Sequence, residues 1–591
     1  MIFTSDYHID IPNKDILTFL FTHTRFKEDD AIWIDAANST LFVTLSKARD
    51  LTHRIGHGLR DLGIGEHNGR DDIVLSFVEN QVMVGPAVLG VLCAGGIHAT
   101  CPMTATAFEL ARQLRLSSPK VLICSAQTRG VAEEAISRSR IEDIKLLVMV
   151  SGEYDIVDGS GQSIISEQKL RWRKITDLAV LETTTACLVY SSGTTGVPKG
   201  QNLQDPEQRA PLSEPCETGV RITQLNVVAN LCQMAFHFDH FALKAISEGL
   251  YLRMPGIMQN AVVLGITVQT MMALLTGMQV YMFKKFDFPF LMECVRKYSL
   301  SAFFLVPAVW NRIANECTKE ELSSFRFCMS GASPLPLPLQ LRMQDMLPDG
   351  VMLRVNWGMT ETTTGASQPA PNEVDREGSS GRLLPNMQAV ILSPDGRKLG
   401  INEPGELCVK GTFHQIFFTL KFLGKHGSGP NIMREYFNNP EATKAAFTPD
   451  GWFRSGDIAH ISKDGKLFIV GRSKELLKYK SHQISPSELE AILGQCPGVA
   501  DIGIIGVPDG NGNDLPRAYA VAFPSKSPDS ATVSEKGIHD FLNARVSVHK
   551  RLRGGVVFVR EIPRNLNGKI MRNVLKEWAE KDGSSYARAK L

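Results

Sequence analysis

Short apolar runs and helix-period stretches take turns along most of this chain, and that alternation leaves few architectures open. DDIVLSFVEN, the helical AVLGVLCAGG, KVLICSA, IKLLVMVSG and ACLVYSS form one series, and SAFFLVPAVW and VMLRVNWG another. Strands interleaved with helices predict parallel α/β layers. After about residue 470 the texture changes: LFIVGR, SPSELEAIL as a helix, then ADIGIIGV, RAYAVAFPS and GVVFVREI as strands. That is a compact α+β unit of about 110 residues, an ordinary domain size. The expected fold is α/β, with a large N-terminal domain of layered α/β subdomains over residues 1–471. A small α+β C-terminal domain follows over 472–580, then a tail at 581–591.

Composition narrows the function. Of 591 residues, 43% are hydrophobic and 21% charged, enough apolar mass for a large core and too much for a disordered chain. Lys+Arg 64 against Asp+Glu 62 leaves +2, without the basic excess that neutralising nucleic-acid phosphates calls for. Eleven cysteines show no C-x-x-C pair and no zinc spacing, as expected of a reduced, intracellular chain. The opening MIFTSDYHIDIPNKD lacks the basic and apolar regions of a secretory signal. Ala589-Lys590-Leu591, preceded by Arg588, is a variant of the Ser-Lys-Leu address, so a peroxisomal location and import receptor are expected. The uncharged run Met254 to Phe283 is long enough to span a bilayer, but Gln259, Gln269, Gln279, Asn260 and Pro255 interrupt it. It reads as a buried helix followed by a buried strand.

The sharpest local signal is Tyr190-Ser-Ser-Gly-Thr-Thr-Gly-Val-Pro-Lys-Gly200, directly after the strand ACLVY. Gly193, Gly196 and Gly200 let backbone N–H groups turn inward as an anion nest. Ser191, Ser192, Thr194 and Thr195 add hydroxyls and Lys199 a point charge, which suits a polyphosphate. The ending is not the G-K-[ST] of a Walker loop, and a solvated Ser/Gly turn is the bland alternative.

With the motifs that follow in order, the chain resembles the adenylate-forming superfamily, which comprises acyl- and aryl-CoA synthetases, luciferases and peptide-synthetase adenylation domains. Ser330-Gly331-Ala332-Ser-Pro-Leu335 is similar to its adenine-wall segment, Asn356-Trp357-Gly358-Met359-Thr360-Glu361 to G-Y-G-M-T-E, and Gly451-Trp-Phe-Arg-Ser-Gly-Asp457 to G-W-x-x-T-G-D. Gly471-Arg472-Ser-Lys474-Glu-Leu-Leu-Lys478-Tyr-Lys480 resembles the hinge region, and Pro563-Arg-Asn-Leu-Asn-Gly568-Lys569 resembles P-K-x-x-x-G-K with Arg564 for the first lysine. The likeness runs from about residue 30 to 578. Its wording (YSSGTTG, KELLKYK, SELEAIL) is nearest to 4-coumarate–CoA ligase-like enzymes.

The resemblance implies an enzyme that activates a carboxylate by attack on the ATP α-phosphorus, giving an acyl-adenylate, and then transfers the acyl group to CoA. It places the 191–199 loop on the β- and γ-phosphates, Mg²⁺ on Glu361, Thr360 on the α-phosphate, Trp357 against adenine, and Asp457 with Arg472 at the ribose. Lys569 bridges carboxylate and α-phosphate in that scheme. Lys474 marks the hinge about which a mobile C-terminal domain turns. Lys478, Lys480, Ser481 and Gln483 belong to the thioester-forming face, and Lys285 to a CoA-phosphate contact. The implied co-substrates are ATP, CoA and a hydrophobic aryl or acyl carboxylic acid. His237 and His240 around Asp239 lack a third ligand and read as packing or cap residues.

Several departures stand out. MPGIMQNAVVLGITVQ occupies the place of the family's P-x-x-H-x-x-G motif, which gates the acid tunnel, and no histidine lies between His240 and His414. Ser481 replaces the glycine of K-Y-K-G. Residues 201–219, polar and rich in Pro and Glu, and 412–429, an apolar burst, interrupt stretches the family keeps continuous. They read as retained introns, with surface-loop insertions as the alternative. Two other functions stay open at this stage: an adenylating enzyme with a carrier-protein acceptor, and a catalytically impaired homologue that binds ligand.

Overall fold

Ile73–Phe77 and Val121–Ser125 are buried along their whole length, as strands covered on both faces must be. They lie inside an eight-stranded sheet of the computed structural model, which describes residues 1–65, 72–191, 218–411, 430–480, 482–510, 513–523, 533–564 and 569–586. The order across that sheet is Glu435–Tyr436, Thr218–Thr223, Thr185–Ser191, Ile97–Thr100, Ile73–Phe77, Val121–Ser125, Lys145–Met149 and Ile156–Val157. From Thr185–Ser191 to Lys145–Met149 neighbours run parallel, and the remaining pairs at the two ends are antiparallel. The helix Val84–Ala94 is buried all round, which accounts for its uniformly apolar sequence.

A four-stranded sheet orders Arg253–Gly256, Gln279–Met282, Ala31–Asp35 and Phe42–Thr44. The uncharged run from Met254 is therefore strand, helix, strand rather than helix then strand. Arg253–Gly256 pairs parallel with Gln279–Met282, and a π-helical turn Gly265–Met272 continued by Ala273–Thr276 makes the crossover. A parallel pair needs such a connection, so the first residues of the run are drawn into the sheet. Among the described residues no helix is long and apolar enough to cross a membrane.

Two further sheets carry the chain toward the site. Ala302–Leu305, Phe327–Ser330 and Leu353–Val355 form a parallel three-stranded sheet. Phe3–Thr4, Met387–Leu392, Gly405–Gly411, Phe453–Ile461 and Leu467–Arg472 form an antiparallel five-stranded one. LFIVGR, grouped by texture with the C-terminal unit, is the last strand of this larger sheet. It pairs with Phe453–Ile461 in a register that sets Arg472 opposite Asp457.

The C-terminal unit holds the hairpin Leu477–Tyr479/His482–Ile484 and a sheet of Val499–Pro508, Asp514–Ala522 and Val556–Phe558. The helices Pro486–Leu493, Glu535–Asn543 and Arg572–Tyr586 accompany it. Leu477, Ile484, Leu489, Ile504 and Leu542 share a core there, separate from the large core that takes Phe453 and Leu467.

Candidate active site

Segments of the sheets just described come together around Trp357, Glu361 and Asp457. The first leaves strand Phe327–Ser330 at Gly331. A Cβ on Gly331 would sit 2.4 Å from Asn356 Oδ1, so a larger residue there would push the Asn356 side chain aside. Ala332 adopts a left-handed φ of 66°, and the Asn356 N–H donates to Ser330 O at 3.1 Å. Gly331, Ala332 and Asn356 thus form one wall. Beyond it Trp357–Gly358 pairs with Gly365–Gln368, and Thr360–Thr362 makes a single 3₁₀ turn whose Met359 N–H is capped by Thr362 Oγ1 at 3.0 Å.

Trp357 and Asp457 meet across this wall. The indole Nε1–H donates to Asp457 Oδ2 at 2.7 Å, and Arg472 Nε stands 3.3 Å from Oδ1. Burial pushes the Asp457 carboxyl above its usual range, while Arg472 and the Trp357 N–H pull the other way. The resemblance gave Trp357 a stacking role. The structure adds a donor function for the indole, which a tyrosine-based pattern does not announce.

Glu361 is buried, and Tyr436 Oη donates to its Oε1 at 2.9 Å. Burial raises the Glu361 carboxyl pKa, partly countered by the Tyr436 bond and by Arg472. The Met433 N–H donates to Glu361 O at 2.7 Å, and Thr363 Oγ1 donates to Asn431 O at 2.8 Å. The chain at 431–436, where it resumes after the apolar burst, is thereby fastened to the 361–363 turn. Tyr436 was missed in the sequence because its partner lies 75 residues away.

Lys569 Nζ lies 2.8 Å from Glu475 Oε1 and contributes to the field at Asp457. Burial lowers the lysine's pKa, helped by the nearby Arg472, while Glu475 raises it. Glu475 also escaped the sequence reading, although it sits beside Lys474 in the motif that resembles the family's hinge region. Lys474, Lys478 and Lys480 are exposed. Lys480 has φ 53°, and Lys478 pairs with Gln483 through the backbone. Lys285 belongs to neither cluster and stands exposed just after Gln279–Met282.

Ser191 ends the strand Thr185–Ser191, its backbone paired with Thr218. Ser192, Gly193, Thr194, Thr195, Gly196, Lys199 and Ser481 lie outside the described residues, as does the C-terminal Ala589-Lys590-Leu591. Thr218 and Gly219, assigned by sequence to the foreign segment 201–219, belong to strand Thr218–Thr223, opposite Ser191 and Tyr190. His237 packs edge-on against Tyr7, with ring centroids 5.2 Å apart, and burial pushes its pKa down to about 4. In the stretch that stands in place of the family's gating motif, Met258 is held through its backbone: its N–H donates to Gln269 Oε1 at 2.8 Å, and its carbonyl accepts from Asn80 and Gln269.

This arrangement supplies a close-packed wall, two buried carboxylates at Asp457 and Glu361, and a half-buried lysine. The AMP-binding enzyme family matches residues 22–204 and 218–417, and the AMP-binding enzyme C-terminal domain matches residues 488–569. The first match skips the greater part of the polar segment and ends inside the apolar one. A putative acyl-coenzyme A synthetase of Emericella nidulans is 32% identical over 594 residues, covering 98% of each chain. A probable 4-coumarate–CoA ligase of Dictyostelium discoideum is 29% identical over 98% of this chain and 97% of its own. ATP-bound MatB from Rhodopseudomonas palustris shares the fold, with a TM-score of 0.76 over 95% of this chain and 98% of its own at 21% identity. The chain belongs to the AMP-binding enzyme family of adenylate-forming enzymes.

Proposed function

We infer that this chain is an ATP-dependent acid–CoA ligase acting on a hydrophobic aryl or acyl carboxylate. The observation that carries the reading is the convergence of Asp457, Arg472, Glu361 and Lys569 from four separate stretches of a chain matched by both family domains. A carboxylate oxygen attacks the α-phosphorus of ATP, the bond to pyrophosphate breaks, and an acyl-adenylate forms. The CoA sulfur then attacks the acyl carbon, AMP leaves, and the thiol proton passes to solvent. Little of this is covalent work for the protein, whose task is to position the groups and balance phosphate charge.

Asp457 accepts the ribose hydroxyls, held in orientation by Trp357 and Arg472. The wall at Gly331, Ala332 and Asn356 confines the base, with Trp357 beside it, and Thr360 bonds the α-phosphate. Lys569 stands between carboxylate and α-phosphate. Glu361 fits a Mg²⁺ ion: it is a hard oxygen donor, and burial leaves its negative charge in want of a cation. When bound, that ion supplies neutralisation of phosphate charge. The polar run at 472–475 is the boundary and hinge between the two domains, and Lys478, Lys480 and Gln483 serve the second half-reaction.

The test is mass spectrometry of acyl-CoA and AMP after incubation with ATP, Mg²⁺, CoA and a panel of cinnamate, phenylacetate and octanoate. Acid-dependent appearance of both products is the expected result. ATP left intact with every acid, by a chain that is folded, would remove the reading.

A further inference from the structure

Glu475 stands at the centre of a fork. Its Oε1 meets Lys569 Nζ at 2.8 Å and its Oε2 meets Arg572 Nε at 3.4 Å. Arg572 in turn reaches Glu490 Oε2 at 3.0 Å, and Glu490 Oε1 accepts the Ile504 N–H at 2.8 Å. Arg572 is therefore tied on both sides and anchors the start of its helix to the C-terminal sheet. Lys569 is a further cation on the same carboxylate, and its charge is felt at Asp457, across the hinge run.

A purely structural ion pair would already be complete with Arg572. Adding Lys569 fixes a side chain with four rotatable bonds just after Gly568, near Arg472. The carboxylate that fixes it follows directly on Lys474, so holder and held move with the same unit.

We propose that Glu475 is the positioning residue for Lys569, holding the ammonium at the end of its reach for the adenylation half-reaction and dispensable for the second. This rests on the ligase reading above. The charge of Lys569 passes from the Glu475 carboxylate to the incoming carboxylate and α-phosphate without any bond being made or broken at the lysine.

The experiment separates the half-reactions in the full chain. Acid-dependent ATP–pyrophosphate exchange reports adenylation, and thioester formation from a supplied synthetic acyl-adenylate reports the second step. Glu475→Gln is expected to lower exchange about tenfold or more while leaving thioester formation from the adenylate within about twofold. In a Lys569→Gln background the same substitution is expected to cost nothing further, since the two residues act as one unit. Competitive acetylation of the substrate-free protein, read by mass spectrometry at Lys569, is expected to run severalfold faster in Glu475→Gln, and Glu475→Asp should restore part of the protection.

Equal losses in both half-reactions, additive losses in the double variant, or unchanged acetylation would each overturn the inference. A wild-type chain that shows no exchange would instead bring down the ligase reading itself, and the inference with it. Exchange in the wild type with an unaffected Glu475→Gln variant would sink the inference alone.

Discussion

The indole N–H of Trp357 is bonded to the carboxylate of Asp457 at 2.7 Å, joining two strands that belong to different sheets. A donor on a buried carboxylate is worth more than one between neutral groups, because the charge has lost its water. Trp357→Phe keeps an aromatic face and deletes only the donor. The expected outcome is ATP binding weakened about tenfold, from a hydrogen bond to a charged group worth about 1.5–3 kcal/mol, partly offset by remaining contacts. Isothermal titration of ATP into both proteins checks it, and unchanged affinity would show that Arg472 alone orients Asp457.

Glu361 is expected to set activity against stability. Glu361→Gln retains an oxygen for the Tyr436 hydroxyl and removes a charge that burial disfavours. Exchange of pyrophosphate into ATP should fall about a hundredfold, the scale of losing one preorganised electrostatic group. The melting temperature should hold or rise, since desolvation of a carboxylate no longer opposes folding. A lower melting temperature would mean that the ionised group, not the neutral one, completes the folded site.

His98 gives the fold an acid-sensitive element. It is fully enclosed beside Ser76, with Nε2 3.0 Å from Ser76 Oγ, and burial lowers its pKa from 6.5 to about 4. The unfolded chain takes up a proton near pH 6.5 and the folded chain only near pH 4. Stability is therefore present above pH 6.5 and lost as the pH falls toward 4, by at most about 3 kcal/mol for this group. Melting curves from pH 7 to 4.5 should slope less steeply for His98→Gln than for the wild type.

The pairing of Ser191 with Thr218 puts the two ends of the intervening segment side by side. Deleting 201–217 joins Gly200 to Thr218 and shortens the connection about threefold. Loop-closure entropy then changes by only about 1 kcal/mol in favour of folding. The trimmed chain should melt at or slightly above the temperature of the full one. A melting point lowered by ten degrees or more would show that the segment is packed into the structure.

Much of this site was legible because its members lie in compact motifs whose spacing survives in the sequence. Asp457, Arg472, Glu361 and Lys569 could each be named because the short motif around each resembles one of the family's. Their supports could not. Tyr436 and Glu475 acquire meaning only when distant strands and loops are brought together, and neither carries a local pattern that says so. The strand Arg253–Gly256 was illegible for another reason: a long apolar run reads alike for buried strand and buried helix, and only the parallel partner at Gln279–Met282 decides. The donor role of Trp357 was hidden by its likeness to a tyrosine, since both offer a ring and only the geometry shows where the N–H points.

The apolar core that takes Phe453 and Leu467 and the one that takes Leu477 and Ile484 are separated along the chain by the polar run Arg472-Ser473-Lys474-Glu475. Oily surfaces that part must be wetted, at about 25 cal/mol for each Å² exposed. Charged and hydrogen-bonded groups that part exchange one set of partners for water at far smaller cost. A boundary drawn through such residues leaves the apolar packing on either side of it complete in itself.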